Sequence, residues 1–133
     1  MATSRRRVPP ESFRAYCFNT DAVGDVVYIM GPKVGQLYQV TGADIDDISK
    51  MPAIGVLTQK SAATECLVQT SGLLVGLFSG LTPGRPLFIG TDSRPTHTVP
   101  APLVGRRWQQ GIGTALSATD ILINIVIPIG IRP

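Results

Sequence analysis

Apolar and polar residues alternate in short runs along most of this chain, the two-residue period of strands that bury one face. Residues 25–30, 36–40, 54–57, 65–70 and 86–89 read as strands bounded by Gly and Pro. Residues 43–48 read as one helical turn or a polar loop, and residues 90–107, with three prolines, as a loop. Residues 108–115 and 120–129 read as a last hairpin. In its second arm Ile121, Ile123, Ile125, Ile127 and Ile129 share one parity, which predicts a single core-facing row. The stretch Gly72-Leu73-Leu74-Val75-Gly76-Leu77-Phe78 is too apolar in succession for one buried strand face, so part of it should meet a neighbour.

The pattern occurs twice. Residues 63–69 (Ala-Thr-Glu-Cys-Leu-Val-Gln) echo residues 118–124 (Ala-Thr-Asp-Ile-Leu-Ile-Asn). Ile54-Gly55 echoes Ile112-Gly113, and residues 24–29 echo residues 84–89. Two copies are too few for a solenoid. The halves, about 21–72 and 80–130, should share one sandwich-like or barrel-like core. The expected fold is therefore a small all-β domain over residues 21–133.

Composition agrees. With 133 residues there is room for one domain. Fourteen Gly and eleven Pro punctuate the chain too often for long helices. A charged fraction of 16%, against about 25% in typical domains, suggests a surface partly covered by partners. No apolar run reaches the roughly 20 residues of a membrane helix. No secretory or twin-arginine signal fits the start, so synthesis in a cytoplasm is expected.

Charge is unevenly placed. Arg5, Arg6, Arg7 and Arg14 against Glu11 give residues 1–20 the entire net charge of +3, and the remainder is neutral. Pro9 and Pro10 favour extended backbone. Residues 1–20 thus read as an extended basic arm, able to reach on the order of 65 Å. Such an arm suits nucleic-acid phosphates or a protein surface. The neutral body, without a face of interleaved aromatic and basic residues, argues against nucleic acid.

Catalytic and metal chemistry find little support. His97 is the sole histidine, and its neighbours Asp92 and Ser93 lie in a Pro-rich loop with nothing to orient an imidazole. Asp44, Asp46 and Asp47 resemble the start of a calcium loop but lack its later Gly and Glu. Gly111-Ile112-Gly113 lacks a third glycine, and no phosphate-binding Gly-Lys-Ser/Thr occurs. Cys17 and Cys66 are too few for a disulfide framework or a closed zinc site and read as isolated or buried thiols. Trp108 reads as a core or interface anchor. No enzyme activity and no cofactor are expected.

Residues 80–90 (Gly-Leu-Thr-Pro-Gly-Arg-Pro-Leu-Phe-Ile-Gly) and 108–123 (Trp-Gln-Gln-Gly-Ile-Gly-Thr-Ala-Leu-Ser-Ala-Thr-Asp-Ile-Leu-Ile) carry a resemblance. They are similar to the capsid decoration, or cement, proteins of tailed bacteriophages, a domain also met in head fibres and tail appendages. Residues 22–27 and 54–56 add to it. The resemblance implies a β-tulip domain, commonly a homotrimer, on the capsid exterior of a virion, tying capsomers together. The implied partner is the major capsid protein. A fibre or appendage domain is the alternative, and a nucleic-acid-binding module a more distant one.

Two sets of contact residues follow. The arm should dock on the capsid through Arg5, Arg6, Arg7, Val8, Pro9, Pro10, Phe13, Arg14 and Tyr16. The chain should meet other copies through Leu73, Leu74, Val75, Leu77 and Phe78.

Overall fold

The computed structural model describes residues 11–101 and 107–131, and the fold is all-β. Five strands come first: β1 (Ser12–Tyr16), β2 (Val26–Ile29), β3 (Tyr38–Gly42), β4 (Ala53–Ala62) and β5 (Glu65–Gln69). They close into a barrel in the order β1-β3-β2-β4-β5. Closure comes from β1, which pairs antiparallel with β5 and parallel with β3. A short 3-10 turn at Ile48–Lys50 leads into β4 through a cis Met51-Pro52 bond.

Five more strands form an open sheet in the order β6-β11-β10-β7-β8. These are β6 (Ser71–Leu74), β7 (Pro86–Ile89), β8 (Pro95–Thr96), β10 (Gly111–Ala115) and β11 (Ile121–Asn124). The strands β9 (Arg107–Gln109) and β12 (Ile129–Ile131) pair as a separate ribbon.

The segments that echo in sequence occupy equivalent places. In the barrel β2, β4 and β5 are consecutive antiparallel neighbours, and in the open sheet β7, β10 and β11 are. Outside them, β1 lies beside β5 as β6 lies beside β11, and β3 beside β2 as β8 beside β7. The entry turns match bond for bond. Gly24 N–H donates to Leu57 O at 2.7 Å and Leu57 N–H to Asp25 O at 2.9 Å. Gly84 N–H donates to Ala115 O at 2.7 Å and Ala115 N–H to Arg85 O at 3.0 Å. Both glycines have positive φ, +100° and +85°, which a β-carbon disfavours. Each half also bulges at its Ile-Gly step, where Ile54 and Ile112 are skipped in the pairing. A β-carbon on Gly55 would sit 2.6 Å from Gln69 O, and one on Gly113 would collide with Leu122 O. The repeat unit therefore starts at β1, so β1 belongs to the body.

Two cores result. The barrel is filled by small side chains: Ala15, Cys17, Val27, Val40, Leu57, Cys66 and Val68. The larger core lies between the halves. Val26, Tyr28 and Val56, on the outside of the barrel, pack with Leu87, Ile89, Ile112, Ile121 and Ile123 of the open sheet. The open sheet thus covers its inner face with the outside of the barrel. The β7–β8 loop fastens the two: Val26 N–H donates to Ser93 O at 2.7 Å, and Arg94 pairs with Asp25 at 3.2 Å. Gln110, 1% exposed, adds a second tie, bonding both backbone groups of Ala53 and the carbonyl of Val126.

Three expectations are corrected. The basic arm does not extend to residue 20, because the alternation Phe13, Ala15, Cys17 gives β1 an apolar face that fills the barrel. The five-isoleucine row is broken. Ile121 and Ile123 are buried, but Ile127 is 84% and Ile129 55% exposed. The strand stops at Asn124, and Pro128, which lacks an N–H, separates it from β12. Trp108 lies on β9, outside the β10–β11 hairpin.

Candidate interaction surfaces

The residues expected on the arm separate into two groups. Arg5, Arg6, Arg7, Val8, Pro9 and Pro10 lie outside the described residues. Phe13, Arg14 and Tyr16 are on β1 and serve the barrel. Phe13 packs against its core and meets Tyr38 edge-to-face at 5.7 Å between centroids. Arg14 forms an ion pair with Glu65 on the neighbouring strand. Tyr16 is half-buried. These three are corrected from arm anchors to body residues, because β1 pairs with β5 along its whole length and Tyr16 also pairs with β3. Glu11 O accepts the Thr70 N–H at 2.8 Å, which places Glu11 beside the start of β6.

The apolar stretch 73–78 also divides. Leu74, 8% exposed, faces the shared core, and Leu77 and Phe78 pack against it. Leu74 is therefore a core residue: on β6 only alternate side chains can point outward. Leu73 and Val75 are exposed, at 46% and 64%.

Strand register puts Leu73 into a cross-strand row. Leu73 lies opposite Leu122, Leu122 opposite Thr114, and Thr114 opposite Pro86. All four point away from the shared core. None of β6, β7, β8, β10 and β11 carries a charged residue. Sequence reasoning missed Leu122, although the alternation Ile121-Leu122-Ile123 places it opposite the buried isoleucines. Past β6, the Gly76 N–H donates to Asp120 at 2.8 Å. That bond and the Thr119 hydroxyl hold the Asp120 carboxyl below its usual range. A second exposed apolar pair, Val126-Ile127, with the half-buried Pro128 borders a groove of about 340 Å³ with Pro52 and Gln110.

The candidate chemical groups are engaged by the protein itself. The Ser93 hydroxyl donates to Ala43 O at 2.6 Å, and Asp92 accepts from the Arg94 N–H. His97 Nε2 accepts the Thr82 N–H and Nδ1 donates to Pro86 O, both at 2.9 Å. Asp92, Ser93 and His97 thus make no relay with one another and instead brace turns. Asp47 caps Ser49, which pulls its carboxyl below the usual range, and Asp46 pairs with Arg107 at 2.7 Å. No group of three or more metal-ligating side chains occurs among the described residues. Cys17 and Cys66 are buried free thiols in the barrel, and burial and the adjacent Cys17 push Cys66 up to about 12. No helix among the described residues is long and apolar enough to cross a membrane.

No protein-family model, curated protein or solved structure matches this chain.

Proposed function

We propose that this chain is a structural virion protein that binds the outer surface of a tailed-phage capsid and cements neighbouring capsomers. The observation that carries the reading is the character of the second half. Its sheet has no charged strand residue and leaves Leu73, Val75 and Leu122 in solvent. Surfaces of that kind are contact surfaces. The longer segments of the family resemblance fall largely on this same sheet, since 80–90 include β7 and 108–123 include β10 and most of β11, while 22–27 and 54–56 lie on the barrel.

The major capsid protein is the proposed partner, met by a basic N-terminal segment comprising residues 1–10. Arg5, Arg6 and Arg7 would act mainly on association rate and salt sensitivity, because exposed ion pairs contribute only about 0–1 kcal/mol each. Three copies acting together would raise avidity without new contacts.

Quantitative mass spectrometry of virions purified from cells making this chain tests the proposal. Hundreds of copies per particle are expected. A handful would instead indicate a head-fibre or tail-appendage domain. Absence from particles would overturn a virion role.

A further inference from the structure

We propose that His97 is an acid-released latch: as a neutral imidazole it fastens the β6–β7 connection to the end of β8, and a second ring proton unfastens it. The proposal stands whether or not the virion reading holds.

Hydrogen-bond chemistry fixes the state of the ring. The Thr82 N–H can only donate, so Nε2, 2.9 Å away, offers a lone pair and carries no proton. Pro86 O can only accept, so Nδ1, also at 2.9 Å, carries the one proton of the neutral ring. A single tautomer satisfies both bonds, and the imidazolium satisfies only one. Protonation sets Nε2–H against the Thr82 N–H, two donors with no acceptor between them. The charged groups on the surrounding elements offer no replacement. Arg85, beside Pro86, has the same sign, and β7 itself carries no charge. In the loop before His97, Asp92 accepts the Arg94 N–H at 3.1 Å and Arg94 pairs with Asp25 at 3.2 Å. Asp120, on the turn after β10, accepts the Gly76 N–H and the Thr119 hydroxyl. Among the described residues no carboxylate bonds the imidazole.

Position gives the bond its leverage. β8 is only two residues long and pairs on one side, with β7. Its counterpart β3 has five residues and is paired on both sides, so only the second half depends on a side-chain fastener here. The other bonds of the connection run to β10 and the turn after it. Phe78 N–H donates to Thr119 O at 3.3 Å, Leu81 N–H to Ala118 O at 3.1 Å and Gly84 N–H to Ala115 O at 2.7 Å. All three acceptors are backbone carbonyls, which acid leaves unchanged. A groove of about 280 Å³ separates the connection from the β7–β8 loop, with Leu77, Phe78 and Leu81 facing Asp92, Arg94 and Pro95. Losing the latch lets these walls part and wets three side chains that pack against the shared core.

Nitrogen NMR on the full chain reads the outcome, following the His97 ring and the Thr82 amide as the sample is acidified. At neutral pH the ring should show its proton on Nδ1. Once its own signals report the cation, the protection factor of the Thr82 amide, corrected for intrinsic exchange, should have fallen about tenfold, the order of one hydrogen bond. Protection at Leu81 and Gly84 should hold. His97→Gln keeps an acceptor but takes no proton, so its Thr82 protection should not change with pH. A neutral ring protonated on Nε2, a His97 cation with Thr82 protection unchanged, the same acid loss in His97→Gln, or protonation only as the whole chain unfolds would each overturn the proposal.

Discussion

The two halves of this molecule share a strand plan and use it oppositely. The first half shuts: β1 reaches both β5 and β3, small side chains fill the barrel, and the outer row around Arg14 is hydrated. The second half stays open because its inner face is occupied by the outside of the barrel. Its outer row, relieved of charge, is left to meet something else. One strand plan can therefore close on itself or stay open, and the side chains at a few equivalent positions set whether its outer row is charged or apolar.

Core truncations distinguish one folding unit from two most strongly. Leu57 fills the barrel and Ile121 the shared core, both fully buried. Leu57→Ala and Ile121→Ala should each cost about 2–5 kcal/mol. Because Arg94, Ser93 and Gln110 fasten the halves, denaturant unfolding should remain one transition in both variants. Two separated transitions would show that the halves fold independently.

Adjacent residues on and after β6 sharpen the boundary. Leu74→Asp puts a charge into the shared core and should leave little folded protein. Val75→Asp, at an exposed position, should change stability by no more than about 0.5 kcal/mol. Equal loss from both in circular dichroism melts would mean that Val75 is also core. Truncation sharpens it similarly. Removing residues 2–10 should preserve the fold, whereas removing residues 2–16 deletes β1 and opens the barrel.

Much of this was legible in the sequence. Short runs with period two located most strands, and the echo of 63–69 in 118–124 identified β5 and β11 as counterparts. The failures have physical causes. The arginine cluster drew attention from the alternation Phe13, Ala15, Cys17, and parallel closure of β1 on β3 is a non-local pairing that leaves no short-range signal. The isoleucine row looked continuous because parity alone does not show where a strand leaves its sheet. For the exposed apolar row, the run at 73–78 contained Leu73 but did not show which of its side chains face outward. Only register joins Leu73 to Leu122.

Smaller effects concern charge. Arg14→Ala removes a surface ion pair and should cost about 0–1 kcal/mol in thermal melts. Asp47 and Asp120 are held below the usual carboxyl range by hydrogen bonds they accept. Their contribution is complete above their unfolded value of about 3.9 and is lost as pH falls through their lower folded values. Asp25 acts oppositely, since burial raises it, and its effect fades as pH rises above that range. Melts should therefore drop most steeply below about pH 4, and replacing Asp120 by Asn should flatten that drop slightly.

Site-directed labelling tests the central contrast most directly. Cys17 and Cys66 are buried in the barrel and should stay unlabelled in the native protein. A single cysteine at Leu122 or at Leu67, exposed to a maleimide on purified virions, then compares equivalent positions of the two halves. The account predicts protection of Leu122→Cys and labelling of Leu67→Cys under the same conditions. Equal labelling at both positions, or protection only at residue 67, would contradict it.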